Sequence, residues 1–477
     1  MTSIAPERSH PNVTLATLAL AGLAFALLQS LVSPALPTIQ HDLGASASGA
    51  TWILTAYLLS AGVATPILGR LGDIHGKRRI IIVALVGLAA GTFLAAIAQT
   101  IGLLIAARVI QGIGGGIFPL AFGIIRDEFP REKVAGSIGL MSALLGLGAG
   151  VGIVLAGVIV EHLDYHWLFW LPLIGILVAL AGVVRFVPES PYRAPGRVDW
   201  LSAALMAVGL SAILLAVSET TTWGWGSAKT LGLLAAGLAV CAVWVLAELH
   251  TEHPLVDMRV MAIRGVWTTN LVAALLGAGM FCSFVLVPQF TETPKATGFG
   301  YGASVIGAGL FLLPSAVLML VFGSVAGALE RRVGSKPPVV AGAAFALASF
   351  VVLLAGHDTK ALVYVACGLL GIGVGLAFAA MANLIVGAVS PEQTGVATGM
   401  NTVARSLGGA FGGQIAATFI ADSVTPRGLP TIEGFDHGFM VAIIALALAV
   451  LAALLIPTTS RRRRDRIPSH DAALQAA

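Results

Sequence analysis

The sequence predicts an all-α integral membrane protein, and three observations carry this prediction. Of the 477 residues, 57% are hydrophobic and only 10% are charged, whereas soluble domains are about 45–50% apolar and about 25% charged. The mean hydropathy is +0.93. Apolar runs of about 20 residues, long enough to cross a bilayer as a helix, recur along the whole chain. A soluble protein of this length could not bury so much apolar surface in its core.

The hydropathy pattern divides the chain into fourteen candidate membrane helices. The first follows a polar segment whose only basic residue is Arg8, and it is expected to stay uncleaved because similar spans follow it repeatedly. The predicted limits are 14–36, 50–70, 79–98, 101–124, 135–160, 166–187, 200–218, 230–249, 266–288, 302–326, 338–356, 361–386, 395–420 and 438–457. An even number of spans places both termini on one side.

The distribution of Lys and Arg orients these spans. When both termini are placed in the cytoplasm, 21 of the 27 Lys and Arg fall in cytoplasmic segments, as the positive-inside rule requires. The opposite side holds only Lys229, Lys295, Lys360 and Arg427. Arg108 and Arg405 fall inside spans. The sequence therefore predicts a multi-pass protein of the cell inner (plasma) membrane with cytoplasmic termini.

Two motifs occur once in each half of the chain. GRLGDIHGKR at 69–78 resembles GALERRVGSK at 327–336, and REKVAGSIG at 131–139 resembles PEQTGVATG at 391–399. The spacing indicates a repeat of six helices, with helices 7 and 8 inserted between the two copies. Parallel repeats of this kind build transporters whose substrate site lies near the bilayer midplane, between the halves.

The repeat predicts four regions. They are an N-terminal six-helix bundle at 1–190, two inserted linker helices at 191–260, a C-terminal six-helix bundle at 261–460 and a basic cytoplasmic tail at 461–477. The run of four arginines in that tail is expected to anchor it beside anionic lipid.

The sequence contains no motif that indicates enzymatic or metal-binding chemistry. The glycine-rich stretches near Gly112 and Gly371 lie inside apolar runs and lack the flanking strand of a nucleotide-binding loop, so close helix packing explains them better. The three cysteines lie far apart in apolar runs and have neither metal nor disulfide spacing. We expect no enzyme, no cofactor, no metal and no nucleic-acid partner.

Four motifs, in the same order as in a known family, carry a resemblance. GRLGDIHGKRR matches the cytoplasmic loop signature G-x-L-x-D-x-x-G-R/K-R/K, and LIAARVIQGIGGG matches a fourth-helix signature that includes Arg108 and Gly112. HWLFWLPL and SPEQTGVATGMNTVARSLGGAFG resemble the start of helix six and the penultimate helix. The chain thus resembles the fourteen-helix drug:proton antiporter branch of the major facilitator superfamily.

This resemblance implies a fold and a function. The fold would be two six-helix repeats plus two inserted helices, fourteen in all. The function would be secondary active transport of the multidrug efflux type, in which small apolar or amphipathic compounds leave by proton antiport and alternating access. The implied partners are a small-molecule substrate, protons and the lipid bilayer, and the expected state is a monomer.

Two departures from the branch keep alternatives open. Leu28 stands where the first helix of the branch carries an Asp. In helix five, GVGIVLAG has Ile153 in place of Pro and Ala156 in place of Gly. A proton-coupled symporter or metabolite exchanger of the same fold therefore remains possible on the sequence, as does a non-transporting membrane sensor.

A conformational latch is predicted in the loop after the second helix. Its residues are Gly69, Asp73, Gly76, Lys77 and Arg78. The glycines allow a tight turn and close helix contact, and the basic residues hold the loop inside the cell. Asp73 is placed to bond a neighbouring helix N-terminus or a loop arginine. The second copy has Arg331 at the Asp73 position, so the latch is expected to be asymmetric.

Polar residues within the spans are the candidates for proton coupling or for the substrate cavity. They are Gln29, Arg108, Gln111, Asn401, Arg405 and Glu292. An arginine at membrane depth is costly and marks a polar path or a partner. Glu292 is the acid nearest the outer mouth. No Asp or Glu is predicted at a helix centre, so the sequence does not assign the proton carrier.

Overall fold

The computed structural model describes residues 11–252, 254–356, 359–425 and 429–457. The basic tail at 461–477 and both chain termini lie outside this range. The first half contains α1 (Pro11–Ser30), α2 (Val32–Asp42), α3 (Ala47–His75), α4 (Lys77–Ala96), α5 (Ile101–Gln111), α6 (Ile117–Glu128), α7 (Arg131–His162) and α8 (Trp167–Phe186). The middle contains α9 (Trp200–Ser218), α10 (Thr220–Trp223), α11 (Ala228–His250) and α12 (Met258–Met261). The second half contains α13 (Arg264–Glu292), α14 (Val305–Val333), α15 (Lys336–Gly356), α16 (Lys360–Ala388), α17 (Thr394–Asp422) and α18 (Ile432–Leu454).

The predicted all-α fold is confirmed. Over the described ranges the chain forms no strand, only one isolated antiparallel bridge between Val424 and Pro430. Thirteen helices there are long and apolar enough to cross a membrane. The helix α17 is not among them, although it has 29 residues. It carries Asn401, Arg405 and Gln414 within its length, so the predicted count of fourteen spans depends on this polar helix and stays a prediction.

Two predicted spans are interrupted helices. The first consists of α1 and α2, which meet at Leu31. The fourth consists of α5 and α6 joined by a 3-10 helix at Gly112–Gly116. A Cβ atom added at Gly115 would lie only 2.8 Å from the carbonyl oxygen of Ala61 in α3. The glycines thus bring this span against α3, close to Arg108 at the end of α5.

Two hydrophobic cores correspond to the two halves. One runs from Leu18 to Val187, and the other from Val272 to Ile456. The helix α16 belongs to the second half, yet its residues Ala382 and Val386 are buried in the first core. The halves are therefore separate bundles that share a packed interface. The predicted region boundaries at 190 and 260 stay predictions.

Glycines line the seams between the halves. In the α7–α14 seam, a Cβ atom at Gly139 would lie 2.5 Å from the carbonyl oxygen of Gly323. In the α3–α17 seam, a Cβ atom at Gly69 would lie 2.5 Å from the carbonyl oxygen of Gly395. Small residues let membrane helices approach until their backbones touch. Both seams therefore bring the two backbones into close contact.

The inserted helices lie against both halves. The helix α9 packs on α11 and also contacts α3 and α17. Its last residue, Ser218, lies 3.3 Å from Thr55 of α3 through the two hydroxyl oxygens, and its carbonyl accepts a hydrogen bond from Gln414 of α17 at 3.1 Å. The Trp225 indole donates to the Thr418 hydroxyl at 2.9 Å. The inserted pair therefore spans the α3–α17 seam.

The glycines inside each bundle predict a stability effect. In Gly371→Ala, the new methyl group would overlap the carbonyl oxygen of Ser315 in α14, whereas Gly387 of the same helix has no atom within 4 Å of an added Cβ. Overpacking of this kind costs about 1–3 kcal/mol. We expect thermal unfolding in detergent, followed by tryptophan fluorescence, to begin at a lower temperature in Gly371→Ala. Gly387→Ala should unfold at or above the wild-type temperature, and equal losses in both variants would contradict this packing.

Candidate functional site

Asp73 joins the two halves where the end of α3 meets the start of α17. It lies near the end of α3, and its side chain is fully buried. One carboxylate oxygen accepts a hydrogen bond from the backbone N–H of Gly395 at 3.1 Å, and the other accepts from Val396 at 3.0 Å. These N–H groups belong to the first turn of α17, which has no intrahelical acceptors for them. The carboxylate also interacts favourably with the positive end of the helix dipole.

The approach of α3 to α17 depends on glycine at both contact points. An added Cβ atom at Gly395 would lie 2.6 Å from the carbonyl oxygen of Gly69 and 2.9 Å from the Asp73 carboxylate. Real Cβ atoms do not lie this close to other atoms, so a larger residue would push the helices apart. The glycines therefore set the distance at which Asp73 reaches the α17 N-terminus.

Lys77 supplies the positive charge beside this carboxylate. Its side chain is fully buried, and its ammonium nitrogen lies 3.7 Å from Asp73 and 2.8 Å from Asp127 of α6. Asp127 also accepts a hydrogen bond from the Ser190 hydroxyl at 2.5 Å. Buried charges are tolerated when they are paired and hydrogen-bonded. One lysine thus supports two acids, of which the sequence reasoning had selected only Asp73.

Gly76 and Arg78 attach the loop to its own half. Gly76 has a φ of +108°, a conformation that favours glycine. An added Cβ atom there would lie 2.5 Å from the Glu189 carboxylate, which accepts the backbone N–H of Arg78 at 3.1 Å. The Arg78 guanidinium donates to the carbonyl of Val184 at 2.5 Å. Neither residue reaches the second half, so both hold the turn that presents Asp73.

Arg126 forms a second connection between the halves. Its guanidinium donates to the Thr394 hydroxyl at 2.6 Å, to the Ser390 carbonyl at 3.1 Å and to the Val389 carbonyl at 2.7 Å. All three acceptors lie where α16 gives way to α17. The sequence alone does not reveal this connection, because the acceptors lie more than 260 positions away in the chain.

The repeat-related junction, between α14 and α7, uses different chemistry. Arg331, which aligns with Asp73, donates to the Glu132 carbonyl at 3.4 Å. Its neighbour Glu330 accepts from the Asn383 amide at 2.8 Å, and that amide also donates to the Ala135 carbonyl at 3.2 Å. The second half therefore has its own partly buried acid next to the aligned position. The sequence comparison did not single it out.

Arg108 is held inside the first half. Its guanidinium donates to the carbonyls of Ile53 and Leu28 at 3.1 and 3.2 Å and to the Gln111 side chain at 2.8 Å. It also lies 4.1 Å from the centre of the Tyr57 ring, a cation–π contact. The contact with Leu28 is to its backbone carbonyl, so it brings a dipole and no negative charge to Arg108.

The remaining candidates do not gather at one point. The Asn401 amide donates to the Asn270 side chain at 2.9 Å and so bonds α17 to α13. Arg405, one turn further along α17, is partly exposed and lies 4.9 Å from the centre of the Phe378 ring. Gln29 is partly buried, and Glu292 is exposed at the end of α13. Across the described ranges no three His, Cys, Asp or Glu could hold a metal ion.

A cavity of about 570 Å³ lies beside the Asp73 junction. Residues of the first half, the inserted segment and the second half line it, including Arg70, Arg193, Glu252, Asp257 and Glu392. Its mixed charge and its position beside the end of α3 and the start of α17 suit a water-filled approach to the α3–α17 seam.

Residues 18–413 match the family model described as Major Facilitator Superfamily. The chain belongs to this superfamily. It is 30% identical over 405 residues to the multidrug transporter protein MdtP of Bacillus subtilis, covering 83% of this chain and 74% of that protein. It is 27% identical to the tetracenomycin C resistance and export protein of Streptomyces glaucescens, covering 87% of this chain and 77% of that one.

A solved structure shows the same fold. The crystal structure of the human organic anion transporter MFSD10 (TETRAN) superposes with a TM-score of 0.62 at 18% identity, covering 95% of this chain and all of that chain. Together, the family and the apolar helices identify a multi-pass membrane transporter and not an enzyme.

The shared position of Lys77 predicts a large stability difference between two neighbouring residues of α4. Lys77→Met leaves Asp73 and Asp127 buried without their cation, a loss that typically costs about 3–5 kcal/mol. The side chain of Arg79 is 69% exposed and lies 3.8 Å from Glu189, so Arg79→Met should cost at most about 1 kcal/mol. Thermal unfolding of the purified variants checks this, and equal unfolding temperatures would contradict the pairing.

Proposed function

We propose that the chain is a multidrug-type efflux transporter of the plasma membrane. It exports small apolar or amphipathic compounds by alternating access, and proton antiport drives the export. In this proposal the chain crosses the membrane fourteen times, has both termini in the cytoplasm and functions as a monomer. The observation that carries it is the Asp73 junction, because a buried, breakable contact between two packed halves is what alternating access requires. The names of the relatives, a multidrug transporter and a resistance and export protein, support the same conclusion.

The junction closes the cytoplasmic side. Asp73 and Arg126 of the first half both hold the start of α17. Opening the cytoplasmic side must break these contacts while the α7–α14 seam changes its packing. Charged hydrogen bonds are worth about 1.5–3 kcal/mol each, so the junction favours the outward-facing state without making it permanent.

The junction also offers a proton-sensitive step. Among the described residues, no carboxylate lies within 4.0 Å of Arg108 or Arg405, so a midplane acid–arginine pair does not supply the coupling. Asp73 and Asp127 are buried acids on either side of Lys77. A proton taken up by Asp73 would cancel the negative charge that binds α17. We assign proton coupling to the Asp73–Lys77–Asp127 cluster.

Efflux itself is tested in a bacterial host that lacks its major drug pumps. Expression of the wild-type chain should raise tolerance to amphipathic antibiotics and lower their accumulation. Gly69→Leu, which separates α3 from α17, should abolish both effects at equal expression. Gly102→Leu, with open space around its Cβ, should retain them.

In proteoliposomes with an imposed pH gradient, substrate should move opposite to protons, whereas movement with protons would instead indicate a symporter.

The junction is tested by thiol labelling. Ala382 is only 6% exposed and is buried where α16 meets the first half, so a cysteine there should react only when the cytoplasmic side opens. In a chain whose three native cysteines are replaced by alanine, Asp73→Asn should raise the labelling rate of Ala382→Cys by roughly tenfold, because a charged hydrogen-bond acceptor is lost. Asp42→Asn, at an exposed acid, should not. Equal rates in the two variants would rule out the latch role.

A further inference from the structure

Two arginines lie at membrane depth, one in each half, and neither has a carboxylate beside it. The ion pairs within the described ranges are His41–Asp42, Lys77–Asp73, Lys77–Asp127 and Arg79–Glu189. None of these pairs includes Arg108 or Arg405. A charge within a membrane protein is costly unless a counter-charge or polar groups compensate it. The transport region therefore carries positive charge without a balancing acid.

The two arginines differ in what compensates them. Arg108 donates to two carbonyls and to Gln111, and it stacks on Tyr57. Arg405 makes no hydrogen bond within the part of the chain that the structure describes, and its guanidinium lies over the Phe378 ring. Arg405 is thus the cation whose donors are available to a ligand.

Arg405 borders the space between the halves. It lies about three turns from the start of α17, or roughly 17 Å along the helix axis. Its guanidinium reaches Phe378 of α16. Both helices also contact the first half, α17 through α3 and α16 through α7. The side chain is partly exposed in spite of this depth.

Aromatic residues of α13 lie against the same stretch of α17. Gly277 of α13 contacts the Arg405 backbone, and Phe281, one turn further on, contacts Gly409. The Phe281 and Phe284 rings lie 5.9 Å apart, and both are partly exposed. The planar guanidinium of Arg405, with its five donors, faces Phe378 and lies about one helical turn from the contact of Phe281 with Gly409. This arrangement suits a carboxylate or sulfonate attached to an aromatic body.

We infer that Arg405 binds the anionic group of the substrate, and that amphipathic aromatic anions are a preferred substrate class of this transporter. The inference rests on the proposed function and deepens it, since it names the class of compound that the transporter binds. The anion supplies the charge that the protein lacks at Arg405, while its aromatic part packs against Phe281. A neutral compound of the same shape would fill the cavity but leave the guanidinium without a partner.

Binding to the full purified chain in phosphatidylcholine nanodiscs tests this, because such nanodiscs contain no anionic lipid that could compete. The probes are 1-naphthylacetate and 1-naphthylacetamide, which share shape and differ in charge. Isothermal titration calorimetry at neutral pH should show at least tenfold tighter binding of the carboxylate. In Arg405→Gln the preference should disappear, so that both probes bind equally, and in Arg405→Lys it should be partly retained.

Arg185→Gln is the matched control. Arg185 also stacks on a phenylalanine, Phe186 at 5.4 Å, but is exposed at the end of α8, so its removal should leave the preference intact. Addition of phosphatidylglycerol to the nanodiscs should weaken carboxylate binding little if the site selects a soluble anion. Complete loss of binding with this lipid would show instead that Arg405 binds a lipid headgroup, and would overturn the substrate assignment.

The wild-type protein alone can overturn the inference. Equal affinities for the carboxylate and the amide would do so, as would competition by chloride that removes all carboxylate binding, since the site would then hold an inorganic ion only. Neither result affects the efflux assay with neutral amphipathic antibiotics. If that assay also shows no export, the proposed function falls independently of the substrate class.

Discussion

The contact between the Asp73 carboxylate and the first turn of α17 is the constraint on which the arrangement of the two halves depends. It requires backbone contact between α3 and α17, which only Gly69 and Gly395 permit. It also requires a buried cation, and Lys77 can supply one because Gly123 leaves space for its side chain. The gain from charged hydrogen bonds is offset by the cost of burying three ionised groups. A contact balanced in this way can hold one conformation and still be released.

Local patterns in the sequence revealed the helices and one end of this junction. Apolar runs of membrane length identify helices wherever the chain is uniformly apolar, and the glycine-spaced motif after the second span placed Asp73 beside a helix N-terminus. The same criteria are weaker for α17, whose polar residues lower its apolar character, and they do not show the breaks at Leu31 and at Gly112–Gly116. Hydropathy averages over about 20 residues, so it cannot detect an interruption of a few residues.

The partners within the site could not be predicted, because they come from distant parts of the chain. Asp127, Ser190 and Arg126 become functional candidates only when α6 and the segment after α8 are placed beside α4 and α17. The alignment of Arg331 with Asp73 indicates a difference between the halves, but it does not point to Glu330, the acid one position earlier that bonds Asn383. A shift of one residue on a helix turns a side chain by about 100°, so pairwise motif comparison cannot decide which residue faces the seam.

The electrostatics of the two halves explain why a missing acid need not disable such a transporter. With Leu28 in the first helix, Arg108 is compensated by carbonyl dipoles, an amide and an aromatic ring, none of which changes charge near neutral pH. Arg108 is then a fixed positive charge and not half of a titrating pair. The proton coupling that we propose therefore requires an acid elsewhere, and of the two buried acids beside Lys77, Asp73 is the one that bonds the second half. For the substrate class that we infer, the anionic group of the transported molecule would neutralise the charge of Arg405, which has no acid beside it in the protein.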